Sequence, residues 1–510
     1  MSTSSRVIKN TGYLYVKMGI TMFVSLYTTR LILASLGAAD FGIFTVVGGA
    51  IAMLGFLNST MTNATQRFMS YAEGEGGIEK KRAIFNVSIV LHIGIALATV
   101  VLLFVAMYPL FHGVLNIHPD RISSAYIIYY CLIFSTVLTI INVPYDAVMT
   151  AHENMLYYSI IGIFESIIRL GIAFVCVYTA KDKLIVYGVL SACVPLITLT
   201  IMKVYCHRHY EECVIAPFRY WNKSLVKQIA GFFGWNFLTA ISSLFSAQGI
   251  GIVLNHFFGT VLNAAQGIAQ QVNGALAHFS GNMMKALNPV ITKNAGAKNI
   301  NAMNLATLAG CKYSAILTML FGIPLSLEIH FVLTSWLIEV PDWAELFVIL
   351  QLVQSVLVQM ADSASTAVYA QGDIKKYAIY KSIMNAMPVV LVWFAFRMGG
   401  SPVWLYLPMI VIWALGGDVV MLYFAKQKCG LNIVNYLQTV LLPIVCTALV
   451  MFLFGILSIL LLEEGFGRLI VTCISTTLGM FISAYYTISK KEKEQFVIFA
   501  KALIYQIKNI

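Results

Sequence analysis

Residues 84–111 read IFNVSIVLHIGIALATVVLLFVAMYPLF, a run without one charged side chain. About 20 apolar residues in a helix cross a hydrocarbon core of about 30 Å. Lipid offers no hydrogen bonds to a backbone, so such a run inside a bilayer must be helical. Comparable runs recur at 12–36, 40–65, 123–150, 157–179, 184–206, 229–257, 260–288, 306–329, 342–369, 376–398, 402–425, 437–461 and 466–488. Only 11% of the 510 residues are charged and 59% are hydrophobic, whereas a soluble domain carries about 25% charged residues. The strand-like alternation of an outer-membrane barrel is absent. The expected fold class is therefore an all-α polytopic membrane protein of about 14 transmembrane helices.

The net charge of +11 would suit a nucleic-acid partner if it lay on one patch, but it does not. With the N-terminus inside, Arg6, Lys9, Arg67, Lys80, Lys81, Arg82, Arg208, Lys223, Lys293, Lys375, Lys376 and Lys426 fall on one side. The other side receives only Arg121, Lys181, Lys183, Arg397 and Arg468. This asymmetry is the positive-inside bias. It places both termini in the cytoplasm and leaves no case for nucleic acid. The first helix carries Lys17 and Arg30 and lacks a small-residue cleavage site, so it is not expected to be a cleaved signal. The nine cysteines are scattered without a CxxC pair, so neither a disulfide framework nor a metal site is expected. No cofactor motif is present.

A repeat organises the chain. Residues 36–74, LGAADFGIFTVVGGAIAMLGFLNSTMTNATQRFMSYAEG, align without gaps to 258–296, FGTVLNAAQGIAQQVNGALAHFSGNMMKALNPVITKNAG, with Gly37 on Gly259 and Gly74 on Gly296. DAVMTAHENM at 146–155 falls near STAVYAQGDI at 365–374. Two parallel six-helix lobes follow, 1–206 and 229–425, related by a pseudo-twofold along the membrane normal. Residues 207–228 form a cytoplasmic amphipathic linker, with Phe218, Tyr220, Trp221 and Lys223 suited to a headgroup layer. Two extra helices occupy 437–488. The tail 489–510 sets Phe496, Phe499, Leu503 and Ile507 on one face and is expected to lie along the cytoplasmic leaflet.

Polar stripes interrupt the apolar helices. At 100° per residue Asn263, Gln266, Gln270 and Asn273 share one face of the eighth helix, and Lys285 and Asn288 continue nearby. Gln351, Ser355, Gln359, Asp362 and Thr366 do the same on the tenth. Lys17, Thr21, Ser25 and Thr28 mark the first helix, and Asn58, Thr62 and Thr65 the second. Such stripes either join helices by hydrogen bonds or line a wet cavity whose amides and hydroxyls donate and accept without committing charge. On the cavity reading Lys17, Arg30, Asn58, Asn263, Gln266, Gln270, Asn273 and Lys285 contact substrate. Glu165 and Arg169 stand four apart in the favourable order for a helix pair, as a self-neutralising or a gating pair. Asp40 and Asp362 complete the expected coupling and gating set. Arg30 either pairs with Asp40 across the Leu-Gly turn, snorkels, or meets an anionic ligand.

LYTTRLILASLGAADFGIF, the NATQRFMS that follows, and PYDAVMTAHENM at the end of the fourth helix resemble the polysaccharide-exporter branch of the multidrug/oligosaccharidyl-lipid/polysaccharide exporter superfamily. More narrowly, the chain is similar to Wzx-type O-antigen flippases. The resemblance implies a multi-pass protein of the bacterial inner membrane. It would move an undecaprenyl-pyrophosphate-linked oligosaccharide between leaflets by alternating access, with a coupling ion such as H+ or Na+. Membrane lipids and polysaccharide-assembly proteins are the partners that the resemblance implies, and the activity is not enzymatic. Two other readings stay open. One is a cation-coupled drug or metabolite exporter of the same fold, which would favour carboxylates and aromatics in its site. The other is a membrane-embedded polysaccharide polymerase or acyltransferase, which would need a convergent acid, base or nucleophile.

Overall fold

A computed structural model describes residues 3–52, 55–114, 117–337 and 339–487. Among the described residues there is no strand. The long helices are α1 (Thr3–Ala52), α2 (Gly55–Glu75), α3 (Ile78–Pro109), α4 (Ile122–Ala151), α5 (Met155–Tyr178), α6 (Lys183–His209), α7 (Lys223–Phe258), α8 (Thr260–Gly296), α9 (Ile300–Leu327), α10 (Ala344–Ala370), α11 (Lys375–Arg397), α12 (Pro402–Cys429), α13 (Ile433–Leu461) and α14 (Phe466–Thr487). Twelve spans among the described residues are long and apolar enough to cross a membrane, the first being Arg6–Gly37. Helix α8 is not in that set, and the polar face seen in its sequence lowers its mean hydropathy; Ala39–Gly49 is apolar but shorter than a span. The expected amphipathic tail, 489–510, lies outside the described residues.

The expected second helix, 40–65, differs from the structure at both ends. Its start follows a turn at Gly37 inside α1, which is described as far as Ala52, and α2 covers Gly55–Glu75. Gly37 has φ 78° and ψ 167°, and Gly259 between α7 and α8 has φ 78° and ψ −167°. L-residues rarely adopt that region, so both turns require glycine. The same sequence offset relates Gly76 (φ 84°), just after α2, to Lys298 (φ 56°), just after α8. The repeat thus recurs in backbone conformation as well as in sequence. Elsewhere helix starts are fixed by side-chain caps. Asn154 accepts from the Tyr157 N–H, Asp182 from Leu184 and Ile185, and Asn299 from Ala302, each satisfying an orphan donor of the first turn.

The chain divides into two compact units, Asn10–Phe237 and Leu238–Ile510 with Met1–Lys9, here termed the N-lobe and C-lobe. Their boundary falls inside α7, which begins at Lys223, earlier than the expected 229 and within the expected linker. In the N-lobe α4 is central and packs on α2, α3 and α6. In the C-lobe α10 is central and packs on α8, α9 and α12. The same partner order at corresponding helices is a second sign of the repeat. Tyr129, Ile128 and Leu184 belong to the N-lobe core, and Phe347, Tyr406 and Val392 to that of the C-lobe. Helices α13 and α14 pack on each other and on α9, outside the repeated pattern. They are also pinned by charge. Glu328, just after α9 and 1% exposed, accepts from Arg468 of α14 at 2.9 to 3.1 Å and from the Thr472 hydroxyl at 2.8 Å.

Candidate transport site

The N-lobe contains a cavity of about 330 Å³ between α2 and α4. The polar face of α2 contributes Asn58, Ser59, Thr62 and Asn63, and α4 contributes Thr139, Asn142, Val143 and Asp146, with Gly55 completing the wall. The residues three and four apart on each helix bring these short polar side chains onto one face. The Thr62 hydroxyl satisfies itself on the Asn58 carbonyl at 2.8 Å. Oδ1 of Asn58 and Oδ1 of Asn142 are buried without a hydrogen-bond partner among the described residues. An unsatisfied buried acceptor costs about 1–3 kcal/mol, so each amide oxygen has capacity for a further hydrogen bond.

Lys17, Arg30 and Lys285 do not line this cavity. Lys17 points its ammonium at the Tyr158 ring, 4.2 Å from the centroid, and its chain fills the space that Gly162 of α5 leaves, where a β-carbon would overlap it. Arg30 is exposed on α1, and its expected partner is taken. Asp40 binds Arg121, whose Nε donates to Oδ1 at 2.8 Å. Arg121 also donates from Nη1 to Asp182 at 2.7 Å, so one guanidinium joins α1, α4 and the start of α6. Burial would raise the Asp182 carboxyl, but the Ile185 N–H and the Arg121 guanidinium outweigh it and hold the group below its ordinary value. Glu165 and Arg169 form the expected i,i+4 pair at 2.8 Å.

In the C-lobe the α8 stripe faces the α10 stripe. Ser355 donates to Asn273 at 2.5 Å, Gln359 to Ser280 at 3.2 Å, and Thr366 to Asn288 at 3.1 Å. Gln266 is buried and accepts from the Tyr406 hydroxyl at 2.8 Å. These amides therefore join helices. Asn263 and Lys285 are half-buried, and Gln270 is exposed. A further polar knot centres on Asn385 of α11, which donates to Ser243 of α7 and accepts from the Trp413 indole, both at 2.8 Å.

Asp362 does not stand alone. Lys381 of α11 interacts with Asp418 of α12 and with Asp362 of α10, and its ammonium occupies the room left by Gly417, where a β-carbon would come within 2.8 Å. Asp418 is 8% exposed. Immediately before it α12 winds as a π-helix over Met409–Gly416, a distortion often found beside functional sites. The sequence shows Lys381 only as a cation near the start of its helix. Its two carboxylate partners are on different helices, so no local spacing pointed to them.

No protein-family model matches the sequence, and no curated protein matches it. Solved structures do. An outward-facing multidrug resistance MATE family transporter of the MOP superfamily superposes with a TM-score of 0.69 at 13% identity, covering 85% of this chain and 99% of its own. The chain has the MATE fold. A MATE structure in a bent conformation gives 0.68 at 14% identity, covering 83% of this chain and 95% of its own. A MOP superfamily transporter from Pyrococcus furiosus, described as having a binding pocket of reverse polarity that suggests a different function, gives 0.64 at 14%, covering 86% and 99%. With almost the whole of each neighbour used, the unmatched share of this chain is about the size of the segment from α13 onward.

Proposed function

We propose that this chain is an alternating-access membrane exporter that moves a lipid-linked oligosaccharide, carried on undecaprenyl pyrophosphate, across a bacterial inner membrane. The observation that supports this reading is the lining of the N-lobe cavity. Its six amides and hydroxyls donate and accept, Asp146 is the one ionisable member, and none of the nine lining residues is aromatic. Glycosyl hydroxyls match such a wall, and the two unpartnered amide oxygens accept from them. An organic cation would be held better by aromatic faces and paired carboxylates. The cavity volume lies at the lower end of the range of small-ligand sites. It suits a sugar subsite rather than the whole substrate.

The fold does not choose the substrate. A cation-coupled multidrug exporter is favoured by a different observation, the grouping of Lys381 with the half-buried Asp362 and the buried Asp418, carboxylates that suit ion coupling. Complementation of a flippase-deletion strain decides between the two. Restored surface glycan supports the first reading. Gradient-driven efflux of fluorescent organic cations from vesicles, without restored glycan, overturns it in favour of the second.

A further inference from the structure

Three side chains from distant parts of the N-lobe converge at the ends of its helices. Glu73 lies in the last turn of α2, His152 follows α4, and Glu212 lies in the linker after α6. One ligand-competent atom of each lies within 4.8 Å of the others. His152 Nε2 is 2.5 Å from Oε1 of Glu212, and its Nδ1 is 3.6 Å from Oε1 of Glu73. Glu212 is 2% exposed, so its carboxylate has given up water. Lys81 reaches Glu73 at 2.9 Å.

The surroundings hold these groups in place. The Tyr210 ring stacks on the imidazole at 4.3 Å and 15°, and Asn154 donates to the Tyr210 hydroxyl at 3.0 Å. The linker backbone is fixed by Asn86, which donates to the Val214 carbonyl and accepts from the Ala216 N–H, both at 2.8 Å. The Arg82 Nε donates to the Glu211 carbonyl at 3.1 Å. Ligands on three such supported segments lose little freedom on closing around an ion.

We infer that Glu73, His152 and Glu212 form a binding site for a divalent transition-metal ion that fastens the linker to the N-lobe. One imidazole nitrogen with two carboxylates is a donor set suited to zinc, iron or manganese. Only one ring nitrogen takes the ion. The site is independent of what the chain transports, so its test needs no transport assay.

The experiment uses full-length, untagged protein in detergent, stripped with chelator and titrated with Zn2+ by calorimetry and with Co2+ by absorption spectroscopy. The expected result is one saturable equivalent per chain. Binding weakens by at least about ten-fold in His152→Ala or Glu212→Gln, in whichever variant melts, metal-free, at the temperature of the metal-free wild type. Absence of saturable binding to the wild type overturns the inference and leaves the cluster a network of ion pairs alone. Binding that both variants retain at wild-type affinity overturns it equally.

Discussion

Arg121 holds two carboxylates at once, Asp40 and Asp182, and a pH dependence follows. Asp182 titrates below its ordinary value of 3.8 in the folded protein. A carboxylate depressed on folding contributes stability that is fully present above its unfolded pKa and is lost as pH falls through the folded one. The N-lobe should therefore lose stability on acidification below about pH 4, and Asp182→Asn should be less stable at neutral pH with a flatter acid limb. Thermal unfolding in detergent from pH 3 to 7 measures both. Parallel acid limbs for the two proteins would show that Asp182 is not the group responsible. The sequence put Arg30 beside Asp40 because both flank one turn. Arg121, 81 residues away, was legible only as a charge on the expected outer side. Ion pairs between helices depend on tertiary packing, which a single sequence does not display. Glu165 and Arg169 were legible because their spacing is local to one helix. The same distinction explains why the Lys17 stripe was seen while its place against Tyr158 and Gly162 was not.

At the level of elements, the repeat carries its own test. Gly37 and Gly259 occupy matched turns at the same positive φ, where a β-carbon is strained whatever room surrounds it. Gly37→Ala and Gly259→Ala should each destabilise by about 1–3 kcal/mol, and by similar amounts. Denaturation in mild detergent compares them, and a marked cost at one glycine with none at the other would break the correspondence. The attachment of α14 yields a second test. Removing Arg468 strands Glu328, which is 1% exposed, and breaking a buried pair at one end costs about 3–5 kcal/mol. Arg468→Leu should thus be far more destabilising than Glu328→Gln combined with Arg468→Leu, which leaves no buried charge. Equal losses would mean that packing, not the ion pair, secures the helix. Helix number and order could be read from apolar runs because lipid forces the backbone into helices. The polar face of α8 weakens that signal, and α8 is not among the spans apolar enough to cross a membrane.

For the whole molecule, the question is whether the polar interior is structure or function. The stripes looked alike in the sequence because periodicity tells which residues share a face, not what that face meets. On α8 and α10 the two stripes bond each other through Asn273 and Asn288, and Gln266 accepts from Tyr406 of α12, so all three have protein partners. The α2 stripe instead borders a cavity with polar residues of α4 that the sequence reading did not single out, and Asn58 and Asn142 keep buried acceptors without partners among the described residues. Substitution separates the roles by sign. Asn58→Leu and Asn142→Leu each remove an unsatisfied group, which should leave stability unchanged or raise it by about 1 kcal/mol, while transport of lipid-linked oligosaccharide falls by at least about ten-fold if each amide holds a sugar hydroxyl. Ser355→Ala should behave oppositely, losing about 1 kcal/mol with the bond to Asn273 and leaving transport nearly intact. Complementation of the deletion strain and melting of the purified variants supply the two readouts. Stable variants with full transport would remove the cavity from the substrate path, whereas stability gained as transport is lost identifies the amides as kept for a ligand.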